Sequence, residues 1–448
     1  MSEIIIYNHN EPFLLESGES LAYIDIAYST SGKLNAARNN VVWICHALTA
    51  NSDAESWWPG LVGHGCVIDP DKYFIVCSNV LGSCYGTTGP VSINPTTSEL
   101  YGLDFPQFTV RDVVNVQLLL ASHLNINTVE LLMGGSFGGS QALELALSKN
   151  WQIVHLLLIA TGAKETAWGI AIHETQRLAL TADATFTDTN ADAGANGLKA
   201  ARGIGLLTYR TFEAYNSKQT DHDGRTDNFK AASYIQHQGK KLVKRFHSHC
   251  YWYLTKCLDT HHVGRGRGGL ENALSQLDIP TTIITMEGDM LIPESEQKYL
   301  ARYIRESVYY KILSSYGHDG FLIESKAIGD IIQKELTKNK HKIIKEITVA
   351  ELKNLIDSKV DFQLIDVREE FECEIATIGG ELIPLGQIAD QASVISSEKK
   401  VVVYCRSGRR SADAIKKLQQ LNGFENLFNL KGGMLAWADE IDPSIEIN

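Results

Sequence analysis

No run of apolar residues in this chain reaches the length of a membrane-spanning helix, which argues against a helical membrane protein. The N-terminal stretch MSEIIIYNHNEPF lacks a basic segment and a small-residue cleavage site, so no secretory signal is expected. Positive charge is in deficit. Forty-one Lys and Arg against 53 Asp and Glu leave a net charge of −12 and an isoelectric point near 5.6, which disfavours nucleic acid as a partner. Internal repeats and low-complexity segments are missing too. Cysteine is sparse, with eight residues scattered through 448, a pattern that suits reduced thiols in a cytoplasm better than a disulfide framework. No metal site is expected. The adjacent His261 and His262 would point apart on either a helix or a strand, and His247 and His249 read as polar surface or lid residues.

A chain of this length exceeds one ordinary core, so two or more domains are expected. Its 44% apolar and 21% charged residues are globular values. Strand-like runs alternate with helical patterns, as in a mostly parallel sheet: NVVWIC (40–45), KYFIVC (72–77), TVELLM (128–133), IVHLLLIA (153–160), TTIITM (281–286) and VYYKIL (308–313). Between about 165 and 265 the rhythm stops. That segment is helix-like and polar, and of a size to form a cap over a site. LTKNKHKIIK (336–345) reads as a linker between a domain over 1–335 and another over 346–448. The second part has its own short α/β pattern, with ITVAELKNLID, FQLIDV (362–367), KVVVY (400–404), a helix over RSADAIKKLQQ and NLFNL (426–430). The fold class is therefore α/β in both parts.

LLMGGSFGGSQALELAL (131–147) reads as a strand, a glycine-hemmed serine and a helix. Gly134-Gly135-Ser136-Phe137-Gly138 fits G-x-S-x-G, the turn that lifts a serine hydroxyl clear of a sheet edge. The amide after the serine and the helix N-terminus can stabilise an oxyanion. The alternative is a glycine-rich turn that merely packs tightly or holds a phosphate. A serine alcohol is a poor nucleophile without a base, and in this arrangement the acid and the histidine follow it in the chain. Asp289, after TTIITM, and His318, after VYYKIL, occur in that order where loops leave the sheet. Taken singly, Asp289 also reads as a turn residue and His318 as a helix-start residue.

HALT (46–49), NVLGSCYGTTGPVSIN (79–94), GGSFGG (134–139), GRGRGG (264–269), GDMLIP (288–293) and YGHDGFL (316–322) together resemble the homoserine O-acetyltransferase family. The resemblance covers roughly residues 1–335 and implies an α/β-hydrolase fold with a helical cap insertion. It implies ping-pong transfer of an acetyl group from acetyl-coenzyme A, through acyl-Ser136, to the hydroxyl of L-homoserine, a step of methionine biosynthesis. Ser136, Asp289 and His318 would be catalytic, and no cofactor is needed beyond the acetyl-CoA substrate. Arg202 falls where the family has an arginine facing the amino acid's carboxylate, and Asp319 where it has an aspartate meeting the ammonium. Leu48 and Phe137 would give the oxyanion-hole amides, and the loop 79–94 would line the site. GRGRGG reads as a turn, though Arg265 and Arg267 could attract coenzyme A phosphates. Family members are often dimers through the cap. Ala50 after HALT and Gly288 before the acid depart from the family's usual residues, which leaves open succinyl-CoA as donor and serine as acceptor. A plain esterase of the same fold is the other alternative, but it would not need Arg202 and Asp319 as a matched pair for a zwitterion.

The second part carries a different nucleophile. Cys405 opens CRSGRRS between a strand and a helix, and Arg406, Arg409, Arg410 and the loop amides could lower a thiol's pKa. The alternative is a partly buried structural thiol. With LIDVREEFE (364–372), IGGELIPLGQI (378–388) and LKGGMLAWA (430–438), this loop resembles a single rhodanese domain over roughly 346–448. The resemblance implies a small α/β rhodanese-like domain in which Cys405 carries sulfane sulfur and Arg410 binds the anionic donor. Asp366 and Arg368 match a segment read as structural. Ser411 stands where a phosphatase of similar fold needs its arginine, which favours sulfur over phosphate. EIATIGG lacks the histidine of the family's usual run, and the alternative for this part is a binding module with Cys405 idle.

Overall fold

The computed structural model describes residues 3–340 and 344–445. The chain divides into two compact units, Met1–Gln333 and Lys334–Asn448.

The first unit is built on an eight-stranded sheet. Its strands are β1 (Ile5–His9), β2 (Ile24–Ser31), β3 (Val41–Cys45), β4 (Phe74–Ser78), β5 (Leu131–Gly135), β6 (Leu156–Ile159), β7 (Thr281–Met286) and β8 (Ser307–Ile312). They lie in the order β1-β2-β4-β3-β5-β6-β7-β8. The first two joints, β1 to β2 and β2 to β4, are antiparallel, and every later one is parallel. Parallel strands need helical crossovers, so both faces of the sheet are covered. Hence β3, β5 and β7 are buried along their whole length. Two of these crossovers are α1 (Val110–His123) and α2 (Phe137–Ser148). A capping box starts α1: Thr109 takes the Asp112 N–H, and Asp112 takes the Thr109 N–H at 2.8 Å.

A chain of buried amides ties these elements to the loop after β3. Trp43 Nε1 donates to Gln117 Oε1 (3.0 Å), Gln117 Nε2 to Gln141 Oε1 (2.7 Å), and Gln141 Nε2 to the His46 carbonyl (3.0 Å). His46 is wholly buried, and burial lowers its pKa to about 4, so the ring is neutral. Its Nε2 accepts the Val80 N–H at 3.1 Å, which places the ring proton on Nδ1, 2.8 Å from the Ala47 carbonyl. These buried side chains are mutually satisfied and anchor the start of the HALT loop at His46.

The break in rhythm between 165 and 265 is a cap of five helices: α3 (Ala167–Thr181), α4 (Ala195–Tyr209), α5 (Phe212–Gln219), α6 (Lys230–Val243) and α7 (Ser248–Asp259). Thr166 and Thr211 cap α3 and α5 through their hydroxyls. His249 is not a surface residue. It is buried, with Nε2 2.6 Å from the Phe186 carbonyl, while half-buried His247 starts α7 and accepts the His249 N–H. His261 is buried against the Gly162 carbonyl (2.9 Å). The helices that follow the cap include α8 (Glu294–Tyr303) and α9 (Ser325–Lys340). The stretch read as a linker is helical over 336–340, inside α9, and Lys345 already opens a strand; residues 341–343 lie outside the described residues.

The second unit holds a five-stranded parallel sheet: β9 (Lys345–Ile347), β10 (Phe362–Asp366), β11 (Glu381–Leu382), β12 (Lys400–Tyr404) and β13 (Leu427–Leu430), in the order β9-β13-β12-β10-β11. Its helices include α10 (Val349–Asp357), α11 (Glu370–Ile375), α12 (Arg409–Asn422) and α13 (Gly433–Glu440). It has its own apolar clusters on the two faces of the sheet, one around Ile365, Val401 and Leu418, the other around Leu352, Val402 and Trp437.

Candidate active site

Ser136 sits between β5 and α2 with φ 56° and ψ −124°, in the left-handed half of backbone space that costs a residue with a Cβ. The turn is compressed on both sides. A side chain at Gly134 would run into the Gly138 carbonyl, and one at Gly138 into the Cys45 carbonyl of β3. The glycines around the serine are therefore there for close approach of strand, turn and helix.

The loop after β7 brings in Asp289 and the loop after β8 brings in His318. His318 Nε2 is 2.8 Å from Ser136 Oγ, and His318 Nδ1 is 2.7 Å from Asp289 Oδ2. The other Asp289 oxygen accepts two backbone N–H groups, from Leu291 and Ile292, each at 2.9 Å. Asp289 and His318 are both buried. Burial pulls the His318 imidazole down, but the Asp289 carboxylate, by its charge and its hydrogen bond, raises it further, with Asp319 and Glu165 adding to the effect. The net position is above the ordinary histidine value.

These residues open on a cavity of about 420 Å³. Leu48 and Phe137 both line it, and neither backbone N–H meets an acceptor among the described residues. Arg202 and Asp319 line it too. Arg202 comes from α4, with its guanidinium carbon 5.6 Å from the centre of the Tyr209 ring, and it has no carboxylate partner among the described residues. Asp319 Oδ2 accepts from Arg210 Nε at 3.0 Å.

Sequence reasoning missed several lining residues. Tyr209 stands 5.8 Å from the His318 ring and follows Arg202 by seven positions, a spacing of two helical turns that a closer reading of AARGIGLLTYR could have used. Glu165 had no such signal. Burial pushes its carboxyl above the ordinary range, with the His173 charge and the Thr166 N–H opposing this. Lys241 and Arg245 complete the basic side of the cavity. Residues 79–94 do not line it. They sit behind the HALT loop, where Asn79 accepts the Ser52 N–H (2.8 Å) and Val80 holds His46. Nor are Arg265 and Arg267 free. Arg265 pairs with Glu16 and Arg267 with Glu144, both at 2.7 Å.

A serine on a strained strand-to-helix turn, with its histidine and aspartate on later loops, defines a serine-nucleophile protein of the α/β-hydrolase fold, and the family of that description matches residues 40–325. A homoserine O-acetyltransferase of Cyclobacterium marinum is 40% identical over 334 residues, covering 75% of this chain and 95% of its own length. One from Chlorobaculum tepidum is 44% identical over 329 residues, covering 73% and 92%. The chain belongs to the homoserine O-acetyltransferase family and is an O-acyltransferase. In fold it is similar to a solved homoserine O-acetyltransferase of Bacillus anthracis (TM-score 0.70, 23% identity, 75% of this chain and 97% of that one). It is equally similar to esterase E22 (TM-score 0.70, 23% identity, 75% and 100%). The fold alone thus does not separate transfer from hydrolysis. No helix among the described residues is long and apolar enough to cross a membrane.

The second unit is a rhodanese-like domain, a family that matches residues 348–440. Cys405 follows β12 and is buried. Its Sγ accepts the Gly408 N–H at 3.2 Å, with the Ser411 hydroxyl 3.3 Å away. The N–H groups of Met434 and Leu435 hold the Cys405 and Arg406 carbonyls. Asp366 and Arg368 form a buried pair at 2.6 Å. Arg410 is already engaged, with both terminal nitrogens 2.6 Å from the Glu372 carboxylate. Arg406 and Arg409 are the exposed cations of this loop, without a carboxylate partner among the described residues. All eight cysteines are free thiols.

Proposed function

We propose that the chain transfers an acetyl group from acetyl-CoA to the hydroxyl of L-homoserine by a ping-pong route through acyl-Ser136. The observation that carries this reading is the unbroken chain from Ser136 to His318 to Asp289, opening on a cavity that also holds Arg202 and Asp319. Ser136 Oγ attacks the thioester carbonyl while His318 Nε2 takes its proton. The N–H groups of Leu48 and Phe137 receive the oxyanion. The tetrahedral species expels the coenzyme A thiol, which takes the proton from His318. Homoserine then binds with its carboxylate on Arg202, where a planar guanidinium can form two parallel bonds, and its ammonium near Asp319. His318 removes the proton from its hydroxyl, the oxygen attacks the acyl-serine, and Ser136 leaves with the proton returned. O-acetylhomoserine is an activated acceptor for a sulfur nucleophile, which suits methionine biosynthesis.

Intact-protein mass spectrometry after mixing with acetyl-CoA or succinyl-CoA, followed by homoserine or serine, tests this. An acetyl adduct cleared by homoserine far faster than by water is expected. Clearance as fast in water alone would make the protein an esterase. Arg202→Ala should leave the adduct forming but slow its clearance by homoserine. Losing charge-assisted hydrogen bonds of about 1.5–3 kcal/mol corresponds to roughly 10–150-fold, read in single-turnover deacylation against homoserine concentration.

The same reading places the protein in the cytoplasm as a homodimer. Free thiols throughout support the first point, and exposed Trp168, Leu178, Leu207 and Phe212 on the cap support the second. Sedimentation analysis would report the dimer.

For the rhodanese-like unit the proposed activity is sulfur carriage. The Cys405 thiolate attacks the outer sulfur of thiosulfate, a sulfur–sulfur bond forms, the original one breaks, and sulfite leaves. The exposed Arg406 and Arg409 are placed to draw in the dianion. This arm would supply sulfur to the enzyme that consumes the acylated amino acid. Thiosulfate should add one sulfur atom to wild-type protein and none to Cys405→Ser. If separated halves feed a downstream sulfhydrylase as well as the intact chain, the supply role fails. Burial of Cys405 and closure of Arg410 by Glu372 favour the other reading, a binding module, and an unmodified Cys405 after thiosulfate would establish it.

A further inference from the structure

From residue 228 to residue 258 the chain has six Lys and Arg and no Asp or Glu, in a protein of net charge −12. Four of the six, Lys240, Lys241, Lys244 and Arg245, fall at the end of α6 and just beyond it. All four are exposed, and none is paired with a carboxylate among the described residues. Lys241 and Arg245 line the same cavity as Ser136. Arg245 reaches three neutral acceptors: the Thr49 carbonyl, the Thr49 hydroxyl (3.4 Å) and the Tyr85 hydroxyl (2.7 Å). Its charge is therefore not cancelled, and it grips the loop that carries Leu48.

A structural explanation exists for part of this cluster. Cations in the last turn of a helix meet its negative end favourably, which accounts for Lys240 and Lys241. It does not account for Arg245, which lies past that turn, for 31 residues without an acid, or for two of the cations opening on the catalytic cavity. The other arginine-rich candidate, GRGRGG, is consumed by Glu16 and Glu144.

We infer that Lys240, Lys241, Lys244 and Arg245 form the subsite for the phosphates of the acyl donor, the nucleotide end of acetyl-CoA. This rests on the acyltransferase reading above. An acidic protein repels a polyanionic donor at long range, and a local positive patch at the cavity mouth both captures it and fixes which end enters. The thioester end then leads into the cavity toward Ser136. Because Arg245 also holds Thr49, phosphate binding bears on the loop that presents the Leu48 amide.

The test compares acetyl-CoA with S-acetylpantetheine, which has the same thioester and lacks the nucleotide. The variant is Lys240→Ala/Lys241→Ala/Lys244→Ala, with Arg245 kept because it holds the HALT loop. The preference for acetyl-CoA, taken as the ratio of the two kcat/KM values, is expected to fall roughly tenfold or more. In wild-type protein, raising salt from low to physiological strength should depress acetyl-CoA turnover and leave S-acetylpantetheine nearly unchanged. That comparison stands even if the triple variant does not fold. An unchanged preference in a folded variant, or equal salt dependence of both donors, overturns the subsite. Failure of acetyl-CoA to acylate wild-type Ser136 at all would instead overturn the acyltransferase reading, and the subsite with it.

Discussion

Ser136→Ala protein mixed with acetyl-CoA should show no acyl adduct by intact mass, and its steady-state transfer to homoserine should fall by roughly 10⁴–10⁶-fold. The size of the loss follows from the geometry. The hydroxyl that His318 Nε2 holds at 2.8 Å is removed, and in the two-step route proposed above homoserine cannot take over its place. The amides of Leu48 and Phe137 and the binding groups remain, so the residual rate reports what they contribute alone. His318→Ala should lose about as much, and the double variant little more than either. Residues that act as one unit are not additive, whereas independent contributions would multiply.

In Asp289→Asn protein the rate should fall by about 10⁴-fold. The backbone supplies the reason. Asp289 Oδ1 accepts the N–H groups of Leu291 and Ile292, and only an oxygen can do that. The asparagine amide is therefore forced to turn its NH₂ toward His318 Nδ1. That nitrogen must then accept, so the ring proton moves to Nε2, the one atom that has to be bare to take the serine's proton. The variant folds around the wrong tautomer. A pH profile separates this from general damage. His318 must be neutral to act as base, so kcat/KM for the acyl donor rises with pH as the imidazolium loses its proton. Because Asp289 lifts His318 above the ordinary histidine value, the wild-type midpoint should lie on the alkaline side of 6.5. Without that carboxylate only Asp319 and Glu165 still oppose burial, and the midpoint should move down. A midpoint that stays put would show that Asp289 does not set it.

The parts of this protein written in local patterns were legible in its sequence. TTIITM and KVVVY are strands to the residue, because buried parallel strands are continuous apolar or β-branched runs. The triad was legible because its members sit just after such runs. What was missed depends on distant partners. β1 is an exposed edge strand and β2 mixes Asp and Ser with its apolar residues, so neither stands out. Arg265 looked available for phosphate because Glu16, its partner, lies 249 positions away. His249 looked like a surface residue because the carbonyl of Phe186 that buries it belongs to another part of the cap. Residues 79–94 seemed to belong beside the substrate because they read as a single conspicuous block. Val80 and Asn79 instead hold His46 and Ser52 behind the HALT loop, and Tyr85 meets Arg245 rather than the cavity itself.

The separation of 182 positions between Ser136 and His318 has a consequence for a chain that is still being made. The serine turn depends on β3, β5, α2 and β6, whose Ile159 carbonyl takes the Ser136 N–H, all made well before β8, the last strand of the sheet in chain order, after which its base arrives. A ribosome-bound or truncated chain that stops short of that strand carries a fenced serine and no base. It cannot cleave a thioester, with or without an acceptor present. Catalysis thus begins only when the sheet is closed out, and the growing chain wastes no acetyl-CoA on water.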